Sequence, residues 1–268
     1  EILPSDWSSD VCSSDLLSEF IQGGSVLAID DYLGLKDNWD TLIKAYYDMQ
    51  KFDGKTYAIP LDGDSILLYY RKDAFENEEY KARFKEQYGY ELEVPKTWTE
   101  YMDAAEFFNG WDWDGDGEVD YGTIEAMAPK DVNPYIFLTH AVTYAAHPNY
   151  PGYTFFNPET MQPMVNDPAY QRALEEYKRI LKLGPPNMIN YGGGDERAAF
   201  PAGESALAID WHDTALATQN PDSSKVKELV GYALAPGSYE CWNPETEQWD
   251  TFDEVQYAPY LEIGRAHV

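Results

Sequence analysis

Five carboxylates fall within nine residues at Asp112-Trp113-Asp114-Gly115-Asp116-Gly117-Glu118-Val119-Asp120. Acids at loop positions one, three, five and nine, glycine at six and an apolar residue at eight follow the pattern by which a tight turn converges hard oxygens on one calcium ion. Glu118, at position seven, would offer its backbone carbonyl. Position twelve is Thr123 rather than the usual bidentate glutamate, and Glu125 could replace it only in a distorted loop. Charges packed this closely repel one another unless a cation is present, so the spacing predicts a solitary structural calcium site of modest affinity. The alternative is an acidic exposed turn.

Two other acidic groups carry a different chemistry. Asp62-Gly63-Asp64-Ser65 sits between the apolar runs Tyr57-Ala58-Ile59-Pro60-Leu61 and Ile66-Leu67-Leu68-Tyr69-Tyr70. The proline and glycine let the chain bend there while both acids face solvent or a ligand, as a hinge between two lobes would. Asp210-Trp211-His212-Asp213 follows the apolar run Ala206-Leu207-Ala208-Ile209. Functional groups collect in the crevice beyond the carboxyl end of such a strand. There Trp211 would offer an aromatic face and Asp213 a hydrogen-bond acceptor. Carboxylates beside aromatics admit two further readings. One is a cation-π cage for a polyamine, with Asp62, Asp64, Asp210 and Asp213 supplying charge. The other is glycoside hydrolysis, in which two acids must flank the scissile bond.

The intervening sequence supplies the elements that must hold these groups. Trp39, Leu42, Ile43 and Tyr46 recur at helical spacing, and Asp53-Gly54 predicts a tight turn into a hairpin-like strand. Residues 73–88 read as one charged surface helix. Thr97-Trp98-Thr99-Glu100 is a capping box opening a helix to about residue 108, with Met102, Ala105 and Phe108 facing inward. A second apolar helix opens near Asp131 and runs to about Ala145. The clearest helix starts behind Asp167-Pro168 and ends before Gly184-Pro185, with Tyr170, Ala173, Leu174, Tyr177, Ile180 and Leu181 as its buried stripe. Gly192-Gly193-Gly194 lacks a following Lys-Ser/Thr pair, so it reads as a flexible entry to a helix over 196–202 rather than a phosphate cradle. Residues 230–237 read as a further strand, and 238–253 as a hairpin or cleft-edge loop carrying Trp242, Trp249 and Phe252.

The two ends are unlike the rest of the chain. Residues 6–16 resemble one reading frame of a short sequencing adapter, residues 262–268 the start of its opposite strand, and residues 1–5 an index sequence. The natural segment is therefore expected to span about residues 17–261, a fragment without its true beginning or end. Without the tails Cys241 stands alone, so there is no disulfide framework. The net charge of −29 becomes −25 once five acids and one base of the tails are removed. Such acidity repels nucleic acid and anionic membranes and disfavours an anionic ligand. An aromatic content of 15% is too high for a disordered acidic chain.

The segment from Tyr57 to Glu76 resembles the family 1 extracellular solute-binding proteins that feed ABC importers. Three further stretches resemble the same family in the same order: Pro95-Lys96-Thr97-Trp98-Thr99-Glu100-Tyr101, Asp167-Pro168-Ala169-Tyr170, and residues 198–209. The resemblance implies an α/β fold of the type II periplasmic-binding-protein kind, incomplete here. Residues 17–62 would belong to lobe 1, 63–66 to the hinge and 67–261 to lobe 2. It further implies a monomeric, extracytoplasmic receptor, in the periplasm or lipid-anchored, that captures a neutral sugar or oligosaccharide and presents it to an ABC permease without catalysis. It needs no cofactor beyond the structural calcium. In this reading Asp62 and Asp64 accept hydroxyl hydrogen bonds at the hinge, Trp211 and Tyr135 offer aromatic faces, and Asp213 completes the polar side.

Overall fold

The computed structural model describes residues 17–31, 48, 50–59 and 65–258. The chain divides into two compact units, Glu1–Asp64 and Ser65–Val268. In the smaller unit, α1 (Leu17–Gln22) precedes a two-stranded hairpin of β1 (Lys51–Phe52) and β2 (Lys55–Thr56). Asp53 and Gly54 both adopt positive φ, 53° and 76°, which is the backbone a two-residue hairpin turn requires. The helix expected around Trp39 to Tyr46, and the joint residues Asp62 and Asp64, lie outside the described residues.

The larger unit is built on a four-stranded mixed sheet ordered β4-β5-β3-β6. Its strands are β3 (Ile66–Arg71), β4 (Tyr121–Glu125), β5 (Ser205–Trp211) and β6 (Val230–Leu234). β3 runs antiparallel to β5 and β6, and β4 runs parallel to β5. The carboxyl ends of β4, β5 and β6 therefore share one edge with the amino end of β3. Side chains alternate across the sheet: Leu68 and Ile209 enter one apolar layer, while Tyr69 and Ala208 pack with Phe200, Val226 and Val230 on the other.

The helices cover these layers. α2 (Lys72–Phe75) and α3 (Glu78–Tyr88) replace the single helix expected over 73–88. The break falls at Asn77, whose side chain accepts from the amides of Glu79 and Tyr80 and so restarts the helix. α4 (Trp98–Phe108) carries the expected capping box, and Met102, Ala105 and Phe108 are buried. It seats directly on β4 at Gly122, where a Cβ would stand 1.8 Å from the Ala105 carbonyl oxygen. α5 (Asn133–Ala145) and α6 (Pro168–Ile180) pack together on the same side. The α6 stripe is buried at Tyr170, Ala173, Tyr177 and Ile180, but Leu174 is exposed because it falls on the margin of that face. α7 (Gly193–Ala199) begins three residues earlier than expected, since the Asp195 carboxylate takes the Gly192 amide and caps the turn. α8 (Asp213–Gln219) follows β5 directly, and β7 (Ser238–Asn243) and β8 (Gln248–Gln256) form the expected hairpin.

Candidate functional site

The fully buried strand β5 leaves the core at Trp211, which is half-buried. Two bonds fix this exit. The Tyr69 hydroxyl donates to the Trp211 carbonyl at 2.6 Å, and the His212 amide donates to the Ser65 carbonyl at 3.0 Å. Tyr135, from the first turn of α5, brings its ring to Trp211 with centroids 5.9 Å apart and planes at 76°, an edge-to-face pair. Tyr135 is 45% exposed. The two aromatic residues singled out for the site are thus neighbours at the carboxyl edge of the sheet, and Asp213 is two residues beyond Trp211.

Asp213 is not a free carboxylate. Arg197 of α7 reaches it through Nη2 at 3.2 Å and donates through Nε to Asp210 Oδ2 at 3.1 Å. Asp210 is fully buried, and the Thr214 hydroxyl also donates to its Oδ2. Burial pushes the Asp210 carboxyl up, while Thr214 and Arg197 pull it down. Behind it lie two more buried acids. Glu196 accepts the Ala126 amide at 3.0 Å, and burial together with the charges of Asp210 and Glu125 pushes it well above the usual carboxylate range. Glu125, at the end of β4, accepts the Tyr101 hydroxyl at 2.7 Å, and burial raises it to about 7. Arg197 was not legible as a site residue. The available signal was an aspartate closing an otherwise apolar strand, which must find a cation if it is to be buried.

The raised Glu125 makes a pH prediction. Its proton is held more tightly in the folded than in the unfolded chain, so its stabilising contribution is complete below pH 4.5 and is lost as pH rises through about 7. Glu125→Gln removes that loss. In urea unfolding at pH 5 and pH 8, the variant should lose less stability than the parent over this interval, by up to roughly 3 kcal/mol. Equal losses would show that Glu125 does not titrate there.

The acidic loop lies between α4 and β4, closed at an antiparallel bridge of Trp111 with Asp120, where the Asp120 amide donates to the Trp111 carbonyl and the Gly110 amide to the Asp120 carbonyl. Carboxylate oxygens of Asp112, Asp114 and Asp116 lie within 4.8 Å of one another and are exposed. Asp112 accepts the amides of Gly115 and Gly117, Asp114 that of Asp116, and Asp116 that of Glu118. Asp120 turns inward, is 4% exposed, and accepts the amides of Trp113 and Asp114; burial raises it to about 6. Glu118 is exposed. Thr123 and Glu125 are committed to Tyr101 in the core, so neither completes the loop at position twelve. Arg71, stacked over Trp113, stands 3.7 Å from Asp114.

A family model for bacterial extracellular solute-binding proteins matches residues 9–240. The chain belongs to that family. This solute-binding protein is 27% identical over 199 residues to the mannitol-binding protein of Pseudomonas aeruginosa, a match covering 74% of this chain and 40% of that one. Among solved structures it resembles an ABC transporter solute-binding protein of Agrobacterium vitis S4 with bound D-mannitol, at TM-score 0.62 and 22% identity over 92% of this chain and 54% of that one. It also resembles an Agrobacterium radiobacter K84 solute-binding protein in complex with ribitol, at TM-score 0.60 and 20% identity over 87% of this chain and 58% of that one. A third is the maltose-bound MalE3 of T. maritima, at TM-score 0.58 and 21% identity over 85% and 57%. These likenesses establish the α/β fold of the MalE-like binding proteins. The solute-binding protein spans about half the length of the relatives it matches. Among its described residues no helix is long and apolar enough to cross a membrane.

Proposed function

We propose that this chain is the greater part of the solute-gripping region of an extracytoplasmic receptor. The receptor captures a neutral sugar or polyol and presents it, unaltered, to an ABC permease. The observation that carries the proposal is the Tyr135–Trp211 pair at the carboxyl edge of the sheet, with the Arg197–Asp213 pair beside it. An aromatic face with an adjoining donor and acceptor suits a molecule having C–H faces and hydroxyls. Relatives named for mannitol, or solved with mannitol, ribitol or maltose, support the same ligand class.

The polyamine reading loses weight because Asp210 is buried and Asp213 is already paired with Arg197. Titration with mannitol, ribitol, maltose and spermidine, followed by tryptophan fluorescence and calorimetry, tests the proposal. Saturable binding of a neutral polyol or sugar without its turnover is expected. A response to spermidine alone, or chemical conversion of the sugar, would overturn it.

The Asp112, Asp114 and Asp116 group supports a structural calcium ion as well, since a hard oxygen donor set of this spacing suits that cation. Adding calcium should raise the melting temperature by roughly 5–10 °C at a hundredfold excess over Kd. A chelator should reverse the rise, and Asp112→Ala should abolish it. Melting that ignores calcium in the parent protein would sink this assignment.

A further inference from the structure

Tyr135 and Tyr144 occupy opposite ends of α5, about 14 Å apart along the helix axis. Beside Tyr144, remote from Trp211, lies a cavity of about 570 Å³, within the size range of small-molecule sites. It is lined by Tyr90, Thr99 and Glu100, by Tyr239 and Thr251 of the β7–β8 hairpin, and by Arg172 of α6.

Arg172 is firmly held. Arg172 donates through Nη1 to Glu240 at 2.8 Å and through Nε to Glu176 at 3.1 Å. Its guanidinium lies 4.4 Å from the Tyr144 ring centroid and 5.1 Å from that of Trp249. Glu176 is fixed in turn by the Tyr144 hydroxyl and by His140 Nε2, both at 2.7 Å, and His140 is buried in a stack 3.9 Å from Trp98. A polar network anchored this far into the core keeps its outer members in place before any ligand arrives.

The rim suggests the ligand. Tyr90 and Tyr239 are 37% and 43% exposed, and Tyr90 is steadied by its hydroxyl bond to Asp103 and an edge contact with Phe84. Two exposed tyrosine faces offer stacking area, with threonine hydroxyls and carboxylates close by. The positive charge of Arg172 is already matched by Glu176 and Glu240, and Glu100 adds a further negative charge, so the cavity disfavours anions. We propose that this cavity is a second binding site for a neutral saccharide, independent of the Trp211 site.

Calorimetry and saturation-transfer NMR with maltotriose, on the full chain, test this. Maltotriose is expected to bind weakly to the Trp211→Ala protein, and that binding should fall about tenfold in Tyr239→Ala and in Thr251→Arg, which would crowd the cavity. Neither of these two changes should alter affinity at the Trp211 site, and both positions lie in the hairpin surface, so circular dichroism should be unchanged. Absence of residual maltotriose binding in Trp211→Ala, or residual binding indifferent to both cavity variants, would overturn the second site. Spermidine occupying the cavity in place of maltotriose would overturn it too. Loss of the Trp211 site in the parent protein would count against the receptor function alone.

Discussion

Trp211→Ala is expected to weaken binding of the cognate sugar or polyol by about thirtyfold or more, with the fold retained. Trp211 ends a strand whose preceding residues are fully buried, and its backbone is held by Tyr69. The ring therefore leaves the core at a fixed angle with part of its surface open. Truncating an aromatic anchor of this kind costs about 2 kcal/mol or more of binding energy, which is a factor of about thirty in Kd. The Tyr135–Trp211 edge contact adds about 0.5–1.5 kcal/mol to the order of the free site. Tyr135→Ala should therefore weaken binding as well, but less, since it removes one face and loosens the other. Trp211→Phe should retain part of the affinity, because a smaller ring still offers a stacking face. Calorimetry decides this, with thermal melting as the control for folding. A Trp211→Ala protein that binds mannitol, ribitol and maltose within twofold of the parent would refute the aromatic platform.

Local signals in the sequence marked the elements well and their long-range pairing poorly. Thr97 and Glu100 are three residues apart and form the same capping box in the structure that their spacing predicts. Asp53-Gly54 likewise determines its own turn. Residues 206–209 could be read as a buried strand because an apolar run needs no knowledge of its neighbours. The break at Asn77 and the early start of α7 were missed because each depends on which side chain captures a free amide. The buried acids were missed for a stronger reason. Glu125, Glu196 and Asp210 come from three separate elements, and nothing local distinguishes a carboxylate that will be buried from one on a surface this acidic. The same holds for Arg197, which reads as one more charge on a short polar helix. In the acidic loop the spacing of Asp112, Asp114 and Asp116 was legible, but the inward turn of Asp120 depends on the Trp113 and Asp114 amides.

Arg197→Met should be the most destabilising of the charge changes considered, at about 2–4 kcal/mol near pH 8. Removing the cation from a buried pair strands the remaining charge, which typically costs about 3–5 kcal/mol; the partial exposure of Arg197 lowers that figure. Asp210 is poorly placed to bear the loss. It is fully buried, and among the described residues its Oδ1 has no hydrogen-bond partner. Without Arg197, the Asp210 carboxyl would rise further, because burial would act against Thr214 and the Trp211 backbone without the help of a cation. The pH dependence follows from that direction. A raised carboxyl binds its proton more tightly in the folded state, so its contribution is kept at low pH and lost as pH rises. The penalty of Arg197→Met should thus be larger at pH 8 than at pH 5. Adding Asp210→Asn to Arg197→Met should recover most of the loss at pH 8, since a neutral amide in that position needs no counterion and can still accept from Thr214. Urea unfolding of the two single variants and the double variant at both pH values measures the coupling. Additive losses in the double variant would show that Arg197 and Asp210 do not act as a pair. A penalty independent of pH would show that Asp210 is not the group left stranded. Asp213, released from Arg197 in the same variant, gives the link to binding. If the pair forms the polar side of the site, Arg197→Met should also weaken solute binding, and restoring stability with Asp210→Asn should not restore affinity.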